Sequence, residues 1–280
     1  MLVKAVRSGW RVDRRTQGGA VTSVTIGRRC RWRVGALMVI VMLASGCSVA
    51  VDGTARPAPG ATPRYLSGTT IKRVLLGKSA LSRIVKQPLT IDPGFPPSFA
   101  GPESLQGDRV AWPDDCIGVA VMLQHSAYRH RKVRDVAQET WRPDSTTATV
   151  IRVQEAVVDL PTPADAEALF VTFSRQWQRC QGKTVALTGR PFRLKAKVDD
   201  VQVAASVLAA TTSIELDSPN PLLEDSLPAG RAIGVRDNCL IEVEVDFANT
   251  PARPPRQPDE VDASALDIAQ VMRDKVDALR

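Results

Sequence analysis

The sequence lacks the short motifs that carry catalysis in the common enzyme classes. Its 280 residues contain no Gly-x-Ser-x-Gly elbow, no His-Glu-x-x-His pair, no Walker phosphate loop and no Cys-x-x-Cys. Only two histidines occur, His125 and His130, and residues five apart do not share one helical face. We interpret both as solvated surface groups. The sequence therefore predicts no catalytic residue, no metal site and no cofactor.

A basic surface suited to nucleic acid is also missing, although the formal net charge of the whole chain is +7. Residues 1–46 alone contain nine Lys or Arg and one Asp, so the remaining residues have a net charge of −1. Nucleic-acid binding requires neutralised phosphates, and we exclude it on this charge balance. We interpret the basic run at 129–132 as a solvated face, with an anionic lipid headgroup as its alternative partner.

The long apolar run of the sequence is too short to span a bilayer comfortably. It covers about ten residues, 34–43, and follows a segment with four closely spaced arginines. The next residues, Leu-Ala-Ser-Gly-Cys at 43–47, resemble a bacterial lipobox, in which the cysteine receives a diacylglycerol and becomes the first mature residue. Ala44 stands where leucine is commoner. The alternative is an ordinary signal peptide with an incidental cysteine.

These features predict the domain organisation of the chain. Residues 1–46 are a lipoprotein signal peptide, Cys47 is the lipidation site, and residues 47–69 form a flexible tether rich in Pro, Gly and Ala. Residues 70–280 form one folded domain, which is long enough for a sizeable core. The resulting protein is anchored to the cell membrane, on its extracytoplasmic face, through the lipid on Cys47.

The centre of the domain is a buried strand followed by an amphipathic helix. Residues 149–160 have the apolar character of a strand. Thr162 is a good N-cap, Pro163 suits the first helical position, and Gly182 ends the helix. The apolar residues of this helix recur every three or four positions and therefore share one face, which packs in the core: Ala166, Leu169, Phe170, Phe173, Trp177 and Cys180.

The other segments predict an α+β fold with a twisted, mostly antiparallel sheet. Residues 70–87 are predicted helical with a break at Gly77, 89–113 a surface loop, and 116–128 a short helix. Further strands are expected at 133–141, 184–187, 192–198, 201–209 and 211–216, with Asp199-Asp200 as a turn. A hairpin is predicted from strands at 231–235 and 239–247 with a turn at 236–238. Apolar and polar residues alternate along its second strand, which predicts that this strand is half-buried. A last helix covers 262–279.

Three cysteines remain after the signal segment and Cys47, so at most one intrachain pair can form. Cys239 lies on the apolar side of its strand, where a free thiol behaves as a small apolar residue. Cys116 and Cys180 each lie at a helix edge near a tryptophan, and we predict that these two pair. Three free thiols, or a pair that includes Cys239, remain the alternatives.

Scattered motifs resemble the extracellular sensor domain of mycobacterial Ser/Thr kinases of the PknH type, which also occurs in free-standing lipoproteins. They include Asp115-Cys116, Glu155-Ala156-Val157-Val158, the Trp177-x-x-Cys180 unit and the segment 231–238. The resemblance implies a cleft between a twisted sheet and helices that binds an extracellular ligand, and a disulfide between Cys116 and Cys180. A second family disulfide falls at Ala229 and Asp246 and is absent here, which leaves the late hairpin less tied down.

The combined expectation is a non-catalytic, sensor-like binding domain on a lipid anchor. Its ligand is a small molecule, a lipid or a protein, and the ligand-binding residues are unknown; the loop at 217–230 is a candidate rim by position. The chain has no kinase domain, so any signalling would pass through a partner. The alternatives are a carrier of an envelope lipid, and an envelope hydrolase with an unrecognised site.

Overall fold

The computed structural model describes residues 65–107, 109–188, 193–204, 206–217, 226–248 and 258–280, with the side chains of the last helix from residue 264. Cys47, the predicted signal peptide and most of the predicted tether lie outside these residues, as do positions 218–225 of the candidate rim. All described residues belong to one compact unit. None of the helices among them is both long and apolar enough to cross a membrane.

The described residues form one open sheet of ten strands, in which every named pairing is antiparallel. The spatial order is β1-β4-β5-β10-β9-β8-β7-β6-β3, and β2 also pairs with β4. The prediction of a mostly antiparallel sheet is confirmed. The strands are β1 Leu89–Ile91, β2 Ser98–Ala100, β3 Val110–Trp112, β4 Val136–Pro143, β5 Val150–Asp159, β6 Thr184–Thr188, β7 Leu194–Ala204, β8 Val207–Leu216, β9 Leu227–Arg236 and β10 Cys239–Phe247.

Helices cover both faces of the sheet. The described residues contain α1 Lys78–Ile84, α2 Ile117–Ala120, α3 His125–Tyr128, α4 Pro163–Cys180 and α5 Pro258–Ala278. Short 3-10 turns occur at Gly68–Val74, Pro102–Ser104 and Asp114–Cys116. One core contains α4 and the segment 116–128, whereas the other contains α5 and the segment 66–84. The described residues therefore form one core on each face of the sheet.

The central strand and helix have the predicted structure. The Thr162 hydroxyl oxygen accepts a hydrogen bond from the backbone N–H of Asp165 at 3.1 Å, which satisfies one of the free donors at the start of α4. The six residues of the predicted apolar face are all buried. Gly182 follows the helix at φ 72°, a left-handed conformation that glycine adopts without strain.

The predicted disulfide is present between Cys116 and Cys180, with an S–S distance of 2.03 Å. It joins the Asp114–Cys116 turn to the last residue of α4 across a sequence separation of 64 residues. Cys239 is free and buried, as predicted. The alternatives of three free thiols and of a pair with Cys239 are therefore wrong.

Several local predictions are wrong, among them the strand expected at 201–209, which includes the end of β7 and the start of β8. Asp199-Asp200 is not a turn but a bulge inside β7, where Asp200 takes φ 51° and the register with β8 shifts. The predicted loop at 89–113 contains the three short strands β1, β2 and β3. Its prolines and glycines lie mainly in the connections between these strands. The predicted helix at 116–128 is split into α2 and α3, since Leu123 at φ 52° interrupts it.

The late hairpin has the predicted strands but a tighter turn. Arg236 pairs with Cys239 across the two-residue turn, in which Asp237 has φ 50°. Ala229 and Asp246, the positions of the absent family disulfide, are direct cross-strand partners. The prediction that β10 is half-buried is wrong, because every residue of this strand is buried. Its charged face is therefore inside the protein.

Candidate functional site

Three carboxylates of β10 are buried beneath the α4 side of the sheet. Glu242, Glu244 and Asp246 alternate along the strand with the apolar residues of the other face. A buried charge is costly unless it is paired, so each carboxylate needs partners inside the protein. Those partners come from two neighbouring strands, β9 and β5, and from the segment 118–128.

Arg231 on β9 is the central cation of this network. Its side chain has 0% exposure and stands directly opposite Glu244 in the register of the hairpin. The guanidinium donates to the Glu242 carboxylate at 3.0 Å and also lies 5.8 Å from the centre of the Trp177 ring. Three backbone carbonyls accept its other hydrogen bonds, those of Gly118, Val119 and Val243 at 3.1–3.3 Å. Arg231 therefore links the sheet to α2 and α4.

Glu242 is held by the segment that follows the disulfide. Its carboxylate accepts hydrogen bonds from the Tyr128 hydroxyl and, at 3.3 Å, from the backbone N–H of Leu123. Burial, followed by the charge of Glu242, raises the pKa of Tyr128 well above its usual value, so the phenol remains a donor. The left-handed Leu123 lies at this contact, and it is the residue that splits the predicted helix.

Arg152 on β5 completes the network at its outer end. Its guanidinium contacts the Asp246 carboxylate at 2.6 Å and Glu244 at 3.2 Å. Glu244 also lies 3.6 Å from Arg231, so it bridges the two arginines. Burial and repulsion from Glu244 raise the pKa of Asp246 to about 7, although Arg152 opposes the shift. The five charges form one continuous chain along the sheet.

A cleft of about 280 Å³ opens over the outer end of this network, where Arg152 and Glu244 line it. Its remaining polar lining comes from Gln106, Arg109 and Gln154. Apolar side chains form most of the remainder: Phe95, Val121, Met122, Leu187, Leu194 and Ile214. The cleft therefore has charged groups beside apolar surface, which is typical of a small-molecule site.

A larger hollow of about 770 Å³ lies at the turn between β4 and β5, but we favour the cleft as the site. The hollow is lined mainly by the turn residues 142–148 and is more open to solvent. No residue of the buried charge network lines it. The cleft, by contrast, has a floor whose side chains are fixed by ion pairs.

The disulfide helps to position one wall of the cleft. It fixes the start of the segment that contains α2, and Ala120, Val121 and Met122 of this segment line the cleft. Asp115 lies close to both disulfide sulfurs, but neither sulfur is a free thiolate and this trio cannot bind a metal as a thiolate site. His125 and His130 are exposed, and neither lines the cleft.

Comparison with known proteins shows which family and which fold the domain matches. Residues 66–275 match the family model described as the PknH-like extracellular domain. The crystal structure of the extracellular domain of PknH from Mycobacterium tuberculosis superposes with a TM-score of 0.61 at 18% identity, and the match covers 77% of this chain and 98% of that one. This likeness shows the α+β fold.

Weaker structural matches add no argument. A protein from Mycobacterium smegmatis, 14% identical, matches over 74% of this chain and 96% of its own length with a TM-score of 0.35. A Helicobacter pylori protein, 10% identical, covers 45% of this chain and 84% of its own with a TM-score of 0.26. No curated protein matches the sequence.

Proposed function

Because the chain belongs to the PknH-like extracellular domain family, we propose that it is a lipid-anchored sensor-like protein that binds a ligand in the cleft without turning it over. The observation that carries this proposal is the cleft itself, whose floor is built on a buried network of two arginines and three carboxylates. The ion pairs and hydrogen bonds of this network hold its side chains in one arrangement, although Asp246 Oδ1 has no partner among the described residues. Such a floor presents fixed donors and acceptors to a ligand.

The pairing of the carboxylates supports binding rather than turnover. Glu242 and Glu244 accept from arginines, and a carboxylate that already serves as the partner of a buried cation is poorly placed to exchange protons with a substrate. Asp246, with its pKa near 7, is not among the residues that line the cleft. Glu244 does line the cleft, but as the partner of Arg152 and Arg231 rather than as a free acid or base.

The size of the cleft supports a small ligand rather than an envelope lipid with two chains. At about 280 Å³ it lies near the lower end of the volumes of small-molecule pockets, roughly 300–1,000 Å³. A lipid carrier would need a larger apolar cavity. We therefore place the carrier function behind the sensor function.

The proposed anchor follows from the lipobox-like sequence at 43–47. In this proposal residues 1–46 are removed as a lipoprotein signal peptide and Cys47 carries the lipid. The tether, predicted at 47–69, ends before Leu66, which is buried in the sensor domain. Radiolabelled palmitate fed to a mycobacterial host tests the anchor. We expect the wild type to carry the label and the Cys47→Ala variant to carry none. Equal label on both proteins would refute lipidation at Cys47.

Thermal unfolding tests binding in the cleft. The exported chain from Ser48 to Arg280 is mixed with aqueous and organic extracts of the cell envelope, and its unfolding temperature is recorded. A bound ligand raises this temperature because it binds only the folded state. The matched variant is Gln106→Trp, which places a large ring on an exposed lining residue. A shift in the wild type that the variant loses supports the proposal, and an equal shift in both contradicts it.

A further inference from the structure

Arg109 lines the cleft and has no polar partner among the residues that the structure describes. Among the described residues it makes no hydrogen bond and no ion pair, and its Nη1 atom is buried without an acceptor. A guanidinium is always charged, and burying a charged donor without an acceptor opposes folding. The stability of the domain therefore does not explain an arginine at this position.

Arg152 adds a second guanidinium to the same lining. Its Nε and Nη2 atoms bond Asp246 and Glu244, and its Nη1 atom has no acceptor within the described part of the chain. The side chain is 35% exposed, so a ligand can reach it. Guanidinium donors fit the oxygens of a carboxylate or phosphate group. Two guanidinium groups of the cleft lining can therefore donate to the same anion.

Glu244, whose charge is paired with Arg152 and Arg231, lines the cleft together with Gln106 and Gln154. The remaining lining is apolar. Phe95 is 55% exposed at the cleft, and Val121, Leu194 and Ile214 are only partly buried. Covering such surface favours an apolar group on the ligand. A bare inorganic anion would leave these side chains in contact with water. The guanidinium donors and the apolar surface together favour a ligand that has both an anionic group and an apolar group.

We propose that the cleft binds a small amphipathic anion, with a carboxylate or phosphate group on Arg109 and Arg152 and a single short apolar chain against Phe95 and Ile214. This inference rests on the proposed function, which requires only that the cleft binds a ligand. Arg109 is only partly buried and lines the cleft, so its guanidinium can contact an anion there. Binding involves no covalent step.

Calorimetry with three probes separates the two halves of this ligand. Octanoate has the anion and the chain, acetate has the anion alone, and 1-octanol has the chain alone. The exported chain from Ser48 is expected to bind octanoate about tenfold more tightly than either of the others, because a charge-assisted hydrogen bond and apolar burial act together. Octanoate that binds no better than 1-octanol overturns the role of the arginines.

Variants assign each half to its residue. Arg109→Gln is expected to weaken octanoate binding about tenfold and to leave 1-octanol binding unchanged. The unfolding temperature of the free protein stays equal or rises, because Arg109 has no hydrogen bond or ion pair to lose among the described residues. Phe95→Ala weakens octanoate but not acetate. Arg175→Gln on the exposed side of α4 is the matched control and changes neither. Unchanged octanoate affinity in Arg109→Gln refutes the inference.

Failure of the inference is distinguishable from failure of the proposed function. If 1-octanol or acetate binds as well as octanoate and Gln106→Trp abolishes that binding, the cleft is a ligand site and only the amphipathic class is wrong. If octanoate does not bind at about 1 mM, the proposed ligand class, a small amphipathic anion, is wrong. If the envelope extracts also give no thermal shift, the proposed function of the cleft is wrong too.

Discussion

Arg231→Met is the sharpest test of the buried network. Methionine has a similar length, but it leaves Glu242 without its cation and removes the donors that satisfy the carbonyls of Gly118, Val119 and Val243. Breaking a buried ion pair from one side costs about 3–5 kcal/mol. Native domains have unfolding free energies of about 5–15 kcal/mol, so this variant loses a large part of its stability.

A double-mutant cycle isolates the pair from its surroundings. Glu242→Gln alone also destabilises the domain, because Arg231 keeps a buried charge with one partner fewer. The double variant carries neither charge of the pair, so its loss is expected to be smaller than the sum of the two single losses by about 1 kcal/mol or more.

Urea unfolding of the oxidised chain from Ser48, followed by circular dichroism at pH 7, measures these free energies. Arg175→Met on the exposed side of α4 is the control and changes the unfolding free energy by no more than about 0.5 kcal/mol. A loss below about 1 kcal/mol in Arg231→Met, or additive losses in the cycle, would refute the argument that Arg231 holds the network together.

Three further predictions concern single groups. Burial raises the pKa of Glu155 from 4.5 to about 7, so the folded state binds this proton more tightly and the unfolding free energy falls as pH rises between these values. The unfolding free energy of Glu155→Gln, relative to that of the wild type, is therefore expected to be about 3 kcal/mol higher at pH 8 than at pH 4 in urea unfolding. The same difference between the two proteins at both pH values contradicts this. Removing the Cys116–Cys180 disulfide by a double change to Ser costs about 4 kcal/mol from its 64-residue separation, measured in the same way; a loss under about 1 kcal/mol would contradict the chain-entropy argument. Burial raises the pKa of Cys239 to about 12, so iodoacetamide at pH 8 labels this thiol only after unfolding, and rapid labelling of the native chain would show that it is accessible.

The segments with one clear periodicity could be predicted from the sequence. The N-cap, the apolar stripe and the final cysteine of α4 all indicate the same helix. The cysteine count leaves several pairings open, and the helix-edge positions of Cys116 and Cys180 favour the one that is observed. The two faces of α4 differ in polarity because one of them is exposed. In such a segment the residue pattern reports burial directly.

Strand β10 shows why the site could not be predicted in the same way. Alternation of acidic and apolar residues is typical of a half-exposed strand, and periodicity does not distinguish a solvated carboxylate from a buried one that has a partner. The partner depends on register. A three-residue turn at 236–238 pairs Arg231 with Val243, whereas the observed two-residue turn pairs it with Glu244.

The cleft also depends on long-range contacts that no local pattern contains. Leu123 interrupts a segment whose composition favours a continuous helix, and its backbone N–H bonds Glu242, which lies 119 residues further along the chain. Arg109 follows a proline- and glycine-rich stretch and reads as an ordinary loop residue. The pairing of β3, which starts at the next residue, with β6 brings Arg109 to the cleft.

Native mass spectrometry of the exported chain from Ser48 to Arg280, purified from a mycobacterial host beside its Gln106→Trp variant, tests the central claim most directly. The account predicts a stoichiometric small-molecule adduct on the wild type that the variant lacks. An adduct of equal occupancy on both proteins, or bare masses for both after exposure to the envelope extracts, would contradict ligand binding in the cleft.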